Sequence, residues 1–168
     1  MLLICTASSG HNLELANRLA AIASEMGIDH RVLDLTASGL PMYTPKREEE
    51  GRPAELDPIE DAFGAATSFL VTAPEYNGSI PPVLSNTIAW LSTQTEDFRA
   101  VFTLKPLAIA THSGGGGQKV LVAMRLQFAH LGCTVLGREI QTNRNKALNE
   151  DSARAVLAQL AELSGFDR

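Results

Sequence analysis

The chain has 168 residues, of which 45% are hydrophobic and 20% charged, and a formal net charge of −5. That length fits a single domain spanning residues 1–168, and area scaling buries about two-thirds of the extended chain's surface, enough for a core without disulfides or metal. The composition excludes a disordered chain, no apolar run reaches the roughly 18 residues of a membrane span, and no Lys/Arg stripe suggests nucleic acid.

The opening MLLICTASSG has no basic region and only a short apolar stretch, so it is no secretory signal and the expected location is cytoplasmic. Leu2 to Thr6 reads as a strand, Ala7 to Asn12 as a small polar loop, and Leu13, Ala16, Leu19, Ala20, Ala23 and Met26 as the buried stripe of a helix that Gly27 stops. His30 to Leu35 is a second strand, completing a βαβ unit. From Thr36 to Pro58 the periodicity disappears among prolines, glycines and the charge run 46–50, which predicts a long exposed connection with a solvated charged face. Asp57 is the expected cap of a short helix reaching Ala65, with Pro58 in its first turn.

Thr67 to Thr72 is an apolar run suited to a buried parallel strand, and APEYNGSIPP then turns the chain into a helix carrying Leu84, Thr87, Ile88 and Leu91 on one face. A loop from Thr93 to Lys105 leads to a fourth strand, Pro106 to Thr111, followed by His112, Ser113 and four glycines, Gly114 to Gly117. A helix from Gln118 to Leu131 ends at Gly132, and Thr134 to Ile140 is the fifth strand. The last helix has an expected inner face of Ala153, Val156, Leu157, Leu160 and Leu163. Strands alternating with helices require a parallel sheet covered on both faces, a doubly wound α/β domain whose ligands bind beyond the carboxyl ends of the strands.

Three loops at that edge carry the candidate chemistry. In the first, backbone N–H groups at a helix start suit a phosphate, with Ser8, Ser9 and Asn12 as side-chain donors and Asn12 as the helix cap. Asp34 ends the second strand where a ribose-binding acid could stand, but neither GxGxxG nor a Walker motif accompanies it. The third loop, Ala73 to Ser79, combines donors, the Tyr76 ring and Gly78, as a flat heteroaromatic ligand requires. In the fourth, consecutive glycines lose much conformational entropy unless something approaches the backbone closely. A capped turn, a simple turn and a flexible tether are the respective readings without a ligand. The four histidines and two cysteines show no metal-ligand spacing, Cys5 and Cys133 read as buried packing residues, and no motif offers a catalytic nucleophile. His112 is read as a base or donor in the site, or as a hydrogen-bonded loop residue.

The segment APEYNGSIPPVLSNTIAWLS closely resembles the signature of the NADPH-dependent FMN reductase family, with support from LPMYTP, KPLAIATHSGGGGQ and LGCTV in the expected order. The resemblance implies a flavodoxin-like three-layer sandwich with a five-stranded parallel sheet of order 2-1-3-4-5. It further implies bound FMN, reduced by hydride transfer from NADPH or NADH and reoxidised by a small-molecule acceptor such as a quinone, azo compound, metal oxyanion or free flavin. Carried over by position, Ser8, Gly10, His11 and Asn12 would bind the phosphate, and Pro74, Glu75, Tyr76, Asn77 and Gly78 would line the flavin. Ser113, Gly114, Gly115 and Gly116 would close its other edge. The first loop departs from the family's Gly-Ser-x-Arg pattern, with no Arg before Arg18. A homodimer or homotetramer is expected, with the Thr36 to Pro58 segment and an exposed Trp90 as interface material. The alternatives are a flavodoxin-type FMN-binding electron carrier acting between protein partners and a flavin-free binding module.

Overall fold

Apolar runs bracketed by turn residues form the strands Leu2–Thr6 (β1), His30–Asp34 (β2), Ser68–Thr72 (β3) and Pro106–His112 (β4). Thr134–Val135 (β5) and Ile140–Thr142 (β6) complete a parallel sheet of order β2-β1-β3-β4-β5, with β6 also paired to β4. The helices are His11–Glu25 (α1), Pro45–Glu49 (α2), Asp57–Ala65 (α3), Pro82–Leu91 (α4), Gln118–His130 (α5) and Glu150–Leu163 (α6). The computed structural model describes residues 1–93 and 96–165; Gln94 and Thr95, within the predicted loop from Thr93 to Lys105, lie outside them.

Because side chains alternate along a strand, each strand feeds two cores. Leu3, Cys5, Phe69, Val71, Leu107 and Ile109 face the layer containing α3, α4 and α5. Leu2, Ile4, Leu70, Ala108 and Ala110 face α1 and α6. The first layer is organised by Phe63, Phe69, Phe102 and Phe128, whose ring centroids lie 5.3 to 6.3 Å apart. Truncating one such ring to alanine costs about 3–5 kcal/mol.

Five expectations are corrected. The fifth strand is split: Thr134 lies opposite Pro106 and Ile140 opposite Ala110, so the outer strand takes two extra residues over that span. Within the excursion the Glu139 carboxylate accepts from Arg125 of α5 at 2.8 Å. The connection after β2 is not simply exposed. Within it Leu56 is fully buried, and the Asn86 side chain accepts the Tyr43 N–H at 2.7 Å and donates to the Pro41 carbonyl at 3.0 Å. Trp90, expected at the surface, is 1% exposed and its indole N–H donates to the same Pro41 carbonyl at 2.8 Å, so it cannot serve as interface. Asp57 is the first residue of α3 rather than its cap, and its carboxylate meets Arg52 at 2.8 Å. Leu163, assigned to the inner face of α6, is half exposed because it lies beyond the last turn that reaches the sheet.

Candidate functional site

The carboxyl edge of the sheet is built on buried threonines. Thr6, Thr72 and Thr142 end β1, β3 and β6, and Thr111 is the penultimate residue of β4. Their hydroxyls donate to backbone carbonyls: Thr6 to that of Ser8 (3.0 Å), Thr72 to that of Asn12 (3.0 Å), Thr111 to that of Ala73 (2.7 Å) and Thr142 to that of Thr111 (3.2 Å). The strands thereby hold the loops in place.

In the first loop Gly10, not Asn12, is the N-cap of α1, and its N–H donates to the Ser8 hydroxyl at 3.3 Å. The first N–H groups of a helix have no intrahelical acceptor and carry its positive end, so this turn is suited to an anion. Asn12 is buried, and its side chain is occupied: Nδ2 donates to the His112 carbonyl at 3.0 Å and Oδ1 accepts the His112 N–H at 2.8 Å. It clamps the first loop to the fourth, leaving its backbone N–H for a ligand. Asp34 is likewise engaged, accepting the N–H and hydroxyl of Thr36 at 2.9 and 2.7 Å.

The third loop contains a tight turn in which Tyr76 and Ser79 exchange both backbone hydrogen bonds, each at 3.0 Å. Asn77 and Gly78 at its centre have φ values of 51° and 79°, the paired left-handed geometry that an Asn-Gly dipeptide tolerates best. Glu75 joins this loop to the next. Its N–H donates to the Ser113 hydroxyl at 2.8 Å, and its carboxylate accepts the Lys119 N–H at 3.1 Å, at the positive end of α5.

Within the glycine run the four positions differ. Gly117 has a φ of 73°, and a Cβ there would lie 2.6 Å from the Thr111 Cγ2 and 2.9 Å from its Oγ1. Gly114 and Gly115 are exposed, and a Cβ on either would meet nothing within 4 Å. The fold therefore requires glycine at Gly117, whereas Gly114 and Gly115 leave bare backbone facing outwards.

Two hollows flank the start of α1. A cleft of about 460 Å³ is lined by residues including Ser8, Ser9, Gly10, Tyr76 and Pro82. On the other side His11 and His112 line a smaller one, of about 150 Å³. Their rings are 4.6 Å apart, and burial first, then His11 and Arg144, push His112 below the usual histidine range, with Glu14 opposing. Of the predicted site residues, Ser8, Gly10 and Tyr76 thus share one hollow while His11 turns to the other. Sequence reading passed over the threonines and Lys119, and read Gly117 only together with the other three glycines as a ligand loop. A threonine near the end of each of four apolar strands was the available signal for the first of these. Among the described residues no group of three or more His, Cys, Asp or Glu could hold a metal ion. Similarly, no helix there is long and apolar enough to cross a membrane.

The chain is 31% identical over 102 residues to a quinone reductase of Escherichia coli K12, covering 59% of this chain and 53% of that protein. It is 36% identical over 78 residues to an NAD(P)H-dependent FMN reductase of Pseudomonas aeruginosa, covering 46% and 40% of the two chains. The chain thus spans about half the length of the curated relatives it matches first. Among solved structures, the flavoenzyme NAD(P)H:(acceptor) oxidoreductase FerB of Paracoccus denitrificans superimposes with a TM-score of 0.75 at 18% identity, over 98% of this chain and 95% of its own. An archaeal flavodoxin does so with a TM-score of 0.67 at 14% identity, over 98% and 99%. These likenesses establish a flavodoxin-like fold. The family described as NADPH-dependent FMN reductase matches residues 1–162, and the chain belongs to that family.

Proposed function

We propose that this chain is an FMN-dependent NAD(P)H oxidoreductase that reduces a small-molecule acceptor, a quinone, azo compound, metal oxyanion or free flavin. Family membership supports FMN, and the residues present fit it. The observation that carries the fit is the Gly114–Gly115 backbone, bare although the fold itself does not demand glycine there. Bound FMN would supply the hydride chemistry, accepting from NAD(P)H and delivering to the acceptor.

The protein's own part is positioning. Ser8, Gly10, His11 and Asn12 would hold the phosphate at the positive end of α1, with the backbone N–H groups of His11 and Asn12 as donors and the Gly10 N–H fixing the Ser8 hydroxyl beside them. On the flavin ring, Pro74, Tyr76, Asn77 and Gly78 would line one edge, and Ser113, Gly114, Gly115 and Gly116 the other. Glu75 would act between them, since its two hydrogen bonds set the spacing of the third and fourth loops. No general acid, base or nucleophile is required of the chain. Residues 1–168 are proposed to act as one cytoplasmic domain, a reading supported by two buried thiols, Cys5 and Cys133, left unpaired. A homodimer or homotetramer is supported by Val122 and Leu126, 66% and 74% exposed on α5.

The test is the anaerobic visible spectrum of the FMN-loaded protein before and after NADPH or NADH. Bleaching of the oxidised flavin band by either nucleotide is expected; flavin that binds but stays oxidised with both would turn the assignment towards an electron carrier.

A further inference from the structure

The tight turn of the third loop borders two hollows. Tyr76 lines the cleft beside the first loop, whereas Gly78, two residues on, lines a hollow of about 400 Å³ completed by Gln118, Lys119, Val122 and Ala123 of α5. Val122 and Ala123 make the second hollow mainly apolar, and Val122 is exposed. Apolar surface is thus left open next to the two loops assigned to the flavin.

Lys119 supplies the charge. Its stem lies along the turn, since a Cβ built on Gly78 would be 3.4 Å from the Lys119 Cδ and 4.0 Å from its Nζ. The ammonium has no hydrogen bond or ion pair among the described residues. The acid that meets Lys119 from the third loop is Glu75, and its carboxylate accepts the backbone N–H at 3.1 Å rather than pairing with the ammonium. A ligand that uses this surface fully has a flat apolar part for Val122 and Ala123 and an anionic group for the Nζ. A metal oxyanion lacks the first, and a neutral quinone lacks the second. A second copy of this chain pressed onto the hollow would strip water from the ammonium and would have to bring a carboxylate of its own.

We propose that Lys119 selects the electron acceptor, favouring aromatic acceptors that carry an anionic arm, carboxylate or sulfonate, over neutral ones with the same ring. The arm lies in the hollow while the ring reaches the flavin past Gly78. The proposal rests on the oxidoreductase reading and concerns the acceptor alone.

The test uses a benzoquinone with a carboxylate arm and the same quinone with that arm as its primary amide, so that the reacting rings match. Both are titrated calorimetrically into oxidised protein, flavin-loaded and flavin-free, where no electrons are transferred, and kcat/KM is measured alongside. The carboxylate form is expected to bind about three- to fivefold more tightly at low ionic strength, the range of an exposed ion pair, and the margin is expected to shrink as salt is added. Lys119→Gln, an exposed substitution, is expected to bring the carboxylate form down to the amide, and Lys119→Arg to keep the margin. Equal affinity for the two quinones, a margin that survives Lys119→Gln, or a parallel loss of both would each overturn the assignment. A sedimentation coefficient that changes in Lys119→Gln would overturn it in favour of a second copy on the hollow. Flavin that stays oxidised with both nucleotides is read separately from absorbance and counts against the oxidoreductase reading, while the affinity margin between the two quinones still decides this one.

Discussion

Asn12 and His112, a hundred residues apart in sequence, are joined by two hydrogen bonds between one carboxamide and one peptide unit, at 3.0 and 2.8 Å. The clamp ties the start of α1 to the end of β4, fixing the first and fourth loops relative to each other. Asn12→Ala would leave the partly buried N–H and carbonyl of His112 without these partners, at a cost of about 1–3 kcal/mol. At about 2–4 °C per kcal/mol for a domain of this size, the expected fall in Tm is several degrees, with a parallel loss of flavin affinity. A variant melting with the wild type would show that the clamp contributes nothing.

Gly117 and Gly115 should separate folding from binding. Gly117→Ala places a Cβ against Thr111 in a left-handed conformation, and Thr111 cannot yield without releasing the Ala73 carbonyl. A loss of about 2 kcal/mol or more is expected from strain and the broken bond together. The Cβ of Gly115→Val meets no protein atom within 4 Å, so its Tm should stay near the wild type while the flavin Kd rises at least about tenfold by steric exclusion. Calorimetry and flavin fluorescence on the two variants decide it, and flavin retained in Gly115→Val would remove the close-approach argument.

Asn77 offers a distinction between side chain and backbone. Its φ of 51° costs an ordinary residue about 1 kcal/mol, a penalty that Gly escapes. Asn77→Ala should weaken flavin binding, and the same change at exposed Asn145 should do little. If the carboxamide is a ligand, Asn77→Gly weakens binding as much as Asn77→Ala; if only the turn matters, Asn77→Gly restores it. Equal affinity of Asn77→Ala and Asn145→Ala would exclude the loop from the site.

His112 makes stability depend on pH. Its folded value is lowered from 6.5 by burial, with His11 and Arg144 adding to the effect, so the unfolded chain takes up a proton first. Stability is therefore intact above the unfolded value and declines as pH falls from there through the folded one. His112→Gln should flatten the drop in Tm between about pH 7.5 and pH 5.5. A variant that loses as much as the wild type would assign the acid sensitivity elsewhere.

Much of the architecture was legible because local chemistry repeats along the chain. The run Leu2 to Thr6 is the observed strand, and Leu84, Thr87, Ile88 and Leu91 are the buried face of α4. Trp90 shows the limit of this periodicity. It lies off that stripe, yet the segment after β2 folds over it and offers the Pro41 carbonyl to its indole. A carbonyl with no local partner recruits one from a distance, and no sequence period records that demand.

The sequence by itself determined the doubly wound class and which three loops meet at the carboxyl edge, because hydrophobic periodicity and turn residues act over a few neighbouring positions. Only the tertiary structure decided the function of individual residues there. Asn12, read as a cap and phosphate donor, became a clamp on His112. Glu75 joined two loops to α5, and of four identical glycines one is required by packing and two are left bare. Hydrogen-bond satisfaction and excluded volume act between residues that only folding brings together, and those contacts distinguish a ligand from a support.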